Sequence, residues 1–137
     1  MLLPQTAEYA LRAVLHIAVH DRPVRVAEIA ADLDVPQNYL SKTLHQLVRA
    51  GVLASTRGPA GGFQLAMSPD RLTLQRVVSK FATAGGRRCL LGHGACGTIP
   101  ECPVHTRWAP VAAQMRDFYE ATTVADLLPA ASSSRGT

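Results

Sequence analysis

Two apolar-striped segments meet at Asp34-Val35-Pro36, and this junction limits the fold more than any other feature of the chain. Proline lacks an amide hydrogen and clashes with a preceding helical turn, so a helix cannot run through it. The segment 24–35 carries Val26, Ile29, Ala30 and Leu33 at helical spacing and stops at this junction. Pro36 then suits the first position of a new helix over 37–50, which ends at Gly51. Leu40, Leu44, Leu47 and Val48 share its inner face, and Gln37, Asn38, Ser41, Lys42 and His45 its outer face. Two readings fit this unit: a helix-turn-helix that presents the polar face to base edges, or a helical hairpin with a solvated face.

The next residues favour the first. Residues 52–67 predict two short strands, with Val52 and Leu53 in one and Phe63 and Leu65 alternating with Gln64 in the other. A hairpin straight after the second helix is the wing of a winged helix-turn-helix. Its tip carries Arg57 among small residues, Gly58 and Gly61 included, so the backbone can approach DNA and the guanidinium can enter a minor groove.

The flanks complete an all-helical frame. Residues 5–20 predict a helix with Ala10, Ala13, Val14, Ile17 and Ala18 on one stripe, capped by Gln5 or Thr6. Glu8 falls in its first turn, where a carboxylate complements the helix dipole. A short helix over 72–81 buries Leu74, Val77, Val78 and Phe81. From 106 to 122 a long helix sets Trp108, Val111, Met115 and Phe118 on one seam with Tyr119 beside it. Such a seam packs on a second helix, within the domain or across a two-fold axis. Pro110 fits only in this helix's first turn. The expected fold is mainly α with a small β-hairpin wing: a winged helix-turn-helix domain plus a long dimerisation helix. The expected organisation is a DNA-binding domain over 1–84, a cysteine-rich loop over 85–105, a dimerisation helix and closing segment over 106–128, and a disordered tail over 129–137.

Charge changes at the first cysteine. Residues 1–88 carry 11 Lys/Arg against 6 Asp/Glu, and residues 89–137 carry 3 against 4. The positive excess therefore lies before the cysteines, which favours an anionic partner such as nucleic acid. No apolar run reaches the roughly 18–20 residues of a membrane span, and no charged leader precedes the first helix. A cytoplasmic protein without a membrane partner is expected. No Ser-His-Asp set, P-loop or dinucleotide fingerprint is visible, so neither catalysis nor a small-molecule substrate is expected.

The three cysteines, Cys89, Cys96 and Cys102, fall within 14 residues of a Gly- and Pro-rich loop, with His105 three positions further on. An odd number of thiols argues against a disulfide framework, and clustered thiolates invite a metal. Thiolates are the usual protein ligands of iron–sulfur clusters, and a nitrogen or oxygen can complete the set. A tetrahedral zinc site with His105 is the alternative, although the C-x(2)-C knuckles common in zinc sites are missing. A reversible disulfide switch is a third reading, and a small electron carrier, of another class altogether, would have no need of a basic winged helix.

Several segments together resemble the family of winged-helix iron–sulfur regulators that includes IscR, NsrR and RirA. These are Glu8 to Val14 in the first helix, Asn38 to Lys42 in the recognition helix, Arg57-Gly58-Pro59-Ala60-Gly61-Gly62-Phe63 in the wing, the three cysteines, and Thr123 to Leu127 near the end. The resemblance spans roughly 1–128. It implies a homodimeric bacterial transcription factor, commonly a repressor, on a palindromic double-stranded operator. Gln37, Asn38, Tyr39, Ser41, Lys42, Arg57, Gly58 and Gly61 would meet DNA. Cluster state, responding to nitric oxide, redox state or iron and cluster supply, would control binding. Cys89, Cys96 and Cys102 would hold the cluster. Its fourth ligand would be Glu8 of the partner subunit, at the position where the subgroup with [4Fe–4S] has an aspartate, or His105, as in the subgroup with [2Fe–2S]. The first pairing is preferred. The C-x(6)-C interval here is one residue longer than the family commonly has.

Overall fold

Small side chains recur down one face of the first helix, and the domain assembles on them. α1 (Gln5–Ala18) buries Ala7, Ala10, Ala13, Val14 and Ile17, with Leu11 and Leu15 packed at the margins of the same core. Alanine brings neighbouring backbones close, and α1 packs against α2 (Val26–Leu33), α3 (Gln37–Arg49), α4 (Leu74–Val78) and the second strand of the wing. The computed structural model describes residues 3–81 and 103–129. No described helix is long and apolar enough to cross a membrane.

The expected caps of α1 are not used. Pro4 is its N-cap, with no side-chain cap bond. The Thr6 hydroxyl instead pairs with the Tyr39 hydroxyl at 2.9 Å, and Gln5 Nε2 donates to the Tyr9 hydroxyl at 2.9 Å. Both side chains were drawn off the helix end by tyrosines that helical periodicity does not reveal.

α2 is shorter than expected. Val24 is extended and forms an antiparallel bridge with Phe63, with N–H to O distances of 2.8 Å in both directions. The outer edge of the wing thereby gains a partner, and the fully buried Val24 side chain joins the core. α2 ends at Asp34 in the left-handed region (φ 56°), and the Val35 amide donates to the Ala30 carbonyl at 3.1 Å. Aspartate tolerates that conformation better than most residues. The chain then turns at Pro36 into α3; Pro36 is the N-cap of the helix rather than its first residue. Leu40, Leu44 and Leu47 of α3 are fully buried, each contributing about 1.5–3 kcal/mol of apolar burial.

The wing pairs β1 (Leu53–Thr56) with β2 (Gly62–Leu65) in antiparallel register, Leu53 opposite Leu65 and Thr56 opposite Gly62. α4 is also shorter than expected, because Leu72 and Thr73 are extended and pair with the chain end. Val124 N–H donates to the Leu72 carbonyl at 2.8 Å, Leu74 N–H to the Thr122 carbonyl at 2.9 Å, and Thr73 bridges Thr123.

These bonds anchor α5 (His105–Ala121), which is followed by a single 3-10 turn, Ala125–Leu127. Pro110 lies inside α5, beyond the first turn that would suit it, so the Thr106 carbonyl loses its usual amide partner. α5 packs on α4 and buries Ala112 and Tyr119. Val111 and Phe118 of the expected seam remain 46% and 52% exposed, so the chain's own core does not cover them.

Candidate nucleic-acid interface

α3 and the wing are joined side by side. Phe63 of β2 meets the His45 ring edge-on, with 5.6 Å between centroids and 87° between planes. His45 Nδ1 in turn lies 2.8 Å from the Ser41 carbonyl, which can only accept, so Nδ1 carries the proton. The recognition-helix side chains are thus held in register with the hairpin.

The outer face of α3 is polar along its length. Gln37, Asn38 and Lys42 are exposed and Ser41 is half-exposed. Asn38 Oδ1 accepts from the Tyr39 amide at 2.9 Å, which satisfies an orphan donor of the first turn and leaves the side-chain amide nitrogen as a donor. Ser41, Lys42, His45, Gln46 and Arg49 line one shallow groove. Two of these, Gln46 and Arg49, were not singled out from the sequence, although they share a helical face with Lys42 at i+4 and i+7. Tyr39 differs from the others. It is half-buried, its hydroxyl is on Thr6, and its ring meets Tyr9 edge-on at 5.6 Å. It fixes the N-terminal end of α3 to α1.

At the wing tip every residue from Ala54 to Ala60 is exposed, Arg57 among them. The tip closes through a 2.9 Å bond from the Gly61 amide to the Gly58 carbonyl. Gly58 is exposed and Gly61 buried, so Gly61 belongs to the frame of the tip. Gly62, marked in the sequence only as part of the wing motif, lies where β2 crosses Val24. Its φ is 151°, and a Cβ there would stand 2.6 Å from the Val24 carbonyl atoms. Arg25, at the N-cap of α2, donates its guanidinium to the Pro59 carbonyl and sets a second cation beside the wing. Nothing in the sequence marked Arg25 beyond its charge.

Of the expected cluster ligands, Cys89, Cys96 and Cys102 lie outside the described residues. Glu8 is exposed on the first turn of α1, and His105 opens α5, half-buried.

A winged helix with an exposed, hydrogen-bonding second helix is a DNA-binding architecture. The comparisons make it specific. The Rrf2 family, described as an iron-dependent transcriptional regulator, matches residues 3–130. An HTH-type transcriptional regulator of Aquifex aeolicus is 37% identical over 132 residues, covering 93% of this chain and 92% of that protein. The HTH-type transcriptional regulator IscR of Vibrio cholerae is 29% identical, covering 93% and 75%. Among solved structures, T. potens IscR superposes with a TM-score of 0.74 at 20% identity, covering 98% and 91%. CymR, the global cysteine regulator of B. subtilis, superposes with 0.73 at 21%, covering 93% and 95%. The chain belongs to the Rrf2 family of transcriptional regulators, and that class is not enzymatic.

Proposed function

We propose that the chain is a cytoplasmic, homodimeric regulator that binds a palindromic operator, most simply as a repressor, under the control of an iron–sulfur cluster. The observation that carries the DNA part is the coupling of α3 to the wing through His45 and Phe63. It holds Asn38, Ser41, Lys42 and Arg49 on a helix that fits a major groove, beside a hairpin whose exposed Arg57 suits the minor groove. Gln37 and Lys42 serve the phosphate backbone, Asn38 and Ser41 the base edges, and Tyr39 positions them. The exposed Val111 and Phe118 of α5 support pairing of two chains through these helices.

The donor set fits a cluster. Cys89, Cys96 and Cys102 supply three thiolates, and Glu8 of the partner subunit or His105 supplies the fourth ligand. [4Fe–4S] with Glu8 is the preferred form and [2Fe–2S] with His105 the other. When bound, the cluster supplies a group whose loss, oxidation or nitrosylation changes its charge and its ligands. A ligand reaching across the dimer would couple that change to the spacing of the two wings. A coupling of about 1–3 kcal/mol alters DNA affinity by about 5–150-fold.

Anaerobic purification with iron, sulfide and zinc assays tests the sensor, on wild type, Glu8→Ala and His105→Ala. About four irons per chain, lost in Glu8→Ala, is the expected result. About two irons perturbed by His105→Ala would move the assignment to [2Fe–2S]. Stoichiometric zinc without iron, or neither metal with a reversible disulfide, would leave a regulator of this family without the proposed sensor.

A further inference from the structure

Among the described residues, two histidines and a carboxylate gather where α1 meets α2. His16 lies in the last turn of α1, and His20 comes four residues after it, two past the helix end. Their ring centroids are 5.0 Å apart. His16 Nδ1 is 3.0 Å from Asp32 Oδ2 on α2. His20 Nδ1 is 2.9 Å from the His16 carbonyl. Carboxylates and carbonyls accept, so each neutral ring carries its proton on Nδ1 and offers Nε2 as a lone-pair donor. This is how protein surroundings set the tautomer and orientation of metal-binding histidines. His16 Nε2 is moreover buried without a hydrogen-bond partner. A buried orphan of that kind calls for an explanation.

The third member is Glu28, in the first turn of α2. One ring nitrogen from each histidine and one Glu28 carboxylate oxygen lie within 4.8 Å of one another. Ligand atoms on a tetrahedral zinc ion stand about 3.3 Å apart, given bonds near 2.0–2.2 Å. The group therefore closes onto an ion by drawing these atoms together by up to about 1.5 Å. Glu28 is held meanwhile by Arg22 through both oxygens, with Nη2 at 2.7 Å from Oε2 and Nη1 at 3.3 Å from Oε1; both side chains are solvent-exposed, so the ion competes with a surface pair that water can replace.

We propose that His16, His20 and Glu28 form a binding site for a divalent transition metal of the zinc type, with Asp32 orienting His16 and solvent completing the coordination. The set is nitrogen and oxygen, unlike the thiolate set of the cysteine loop, and it stands whether or not that loop holds a cluster. Metal binding ties the C-terminal end of α1 to the first turn of α2. The same α2 begins at Arg25, whose guanidinium reaches the wing tip.

Zinc ion alone is the probe, added to the full-length protein as purified, with the histidine ring nitrogens followed by NMR. The Nε2 signals of His16 and His20, assigned from His16→Gln and His20→Gln, are expected to shift together and saturate. Asp32→Asn should weaken binding about 10–100-fold, as loss of a ligand's hydrogen-bond partner generally does. Glu28→Gln, on the exposed surface, tests the third ligand without disturbing the core and should also weaken binding. Replacing Cys89, Cys96 and Cys102 by serine should leave these shifts intact. Rings that do not respond to zinc, or responses that disappear with the cysteines and survive Glu28→Gln and Asp32→Asn, overturn the proposal.

Discussion

Gly62→Ala is the sharpest local test of how the wing is mounted. A Cβ at this position would meet Val24 backbone atoms at 2.6 Å, on a backbone whose φ is 151°. Alanine can be admitted only if β2 moves off Val24, which breaks the two 2.8 Å bonds between Val24 and Phe63. Two such bonds contribute about 0.5–1.5 kcal/mol each, and an alanine in so unusual a backbone region costs about 1–3 kcal/mol. The expected loss is therefore roughly 2–6 kcal/mol, a large part of a small domain's stability. Gly58→Ala is the control. Its φ is 98°, but nothing lies within 4 Å of the added Cβ, so only the strain of about 1–2 kcal/mol applies. Urea unfolding of both variants measures the difference, and amide exchange locates it. Gly62→Ala should lower the midpoint more and speed exchange at Val24 and Phe63. Equal destabilisation by the two variants, or unchanged exchange at Val24, would refute the crossing as the constraint.

Leu44→Ala empties a fully buried site in the middle of α3 and should cost about 2–5 kcal/mol by chemical denaturation. Burial pushes the Tyr119 phenol above its ordinary value of 10.0. Its folded form holds the proton longer than the unfolded form, so its stabilisation is complete below about pH 10 and is lost as pH rises through the folded value. Tyr119→Phe should therefore flatten the fall in stability on the alkaline side, seen in melts from neutral pH upward. Lys42→Ala and Arg57→Ala should each weaken DNA binding without altering metal content. A phosphate contact made by Lys42 should lower the slope of affinity against salt by about 1, read by fluorescence anisotropy across a salt series.

Local patterning carried much of this architecture. The apolar rows of α1, α2 and α3, the stop at Asp34 and Pro36, and the alternation of Phe63, Gln64 and Leu65 each specify one element from nearby residues alone. Two of the misjudged helix starts have a distant partner. Val24 looks like the start of a helix until Phe63 arrives 39 residues later, and Leu72 and Thr73 look helical until Thr123 and Val124 pair with them. Thr6 looks like a cap until the Tyr39 hydroxyl takes it. The proposed interface was legible where the exposed row follows helical spacing, as from Asn38 through Lys42. It was not legible at Arg25 or Gly62, whose roles arise only when α2 and the wing are folded against each other. The metal-ligating group of His16, His20 and Glu28 escaped notice for the same reason, since Glu28 comes from a different helix.

The central claim is that the face formed by α3 and the wing reads DNA sequence. Selection from a random duplex pool tests it most directly, with the protein prepared anaerobically and again after exposure to air. Enrichment of an inverted repeat in at least one preparation, abolished by Asn38→Ala together with Arg57→Ala, is the predicted result. A pool that stays random in both preparations would contradict the account.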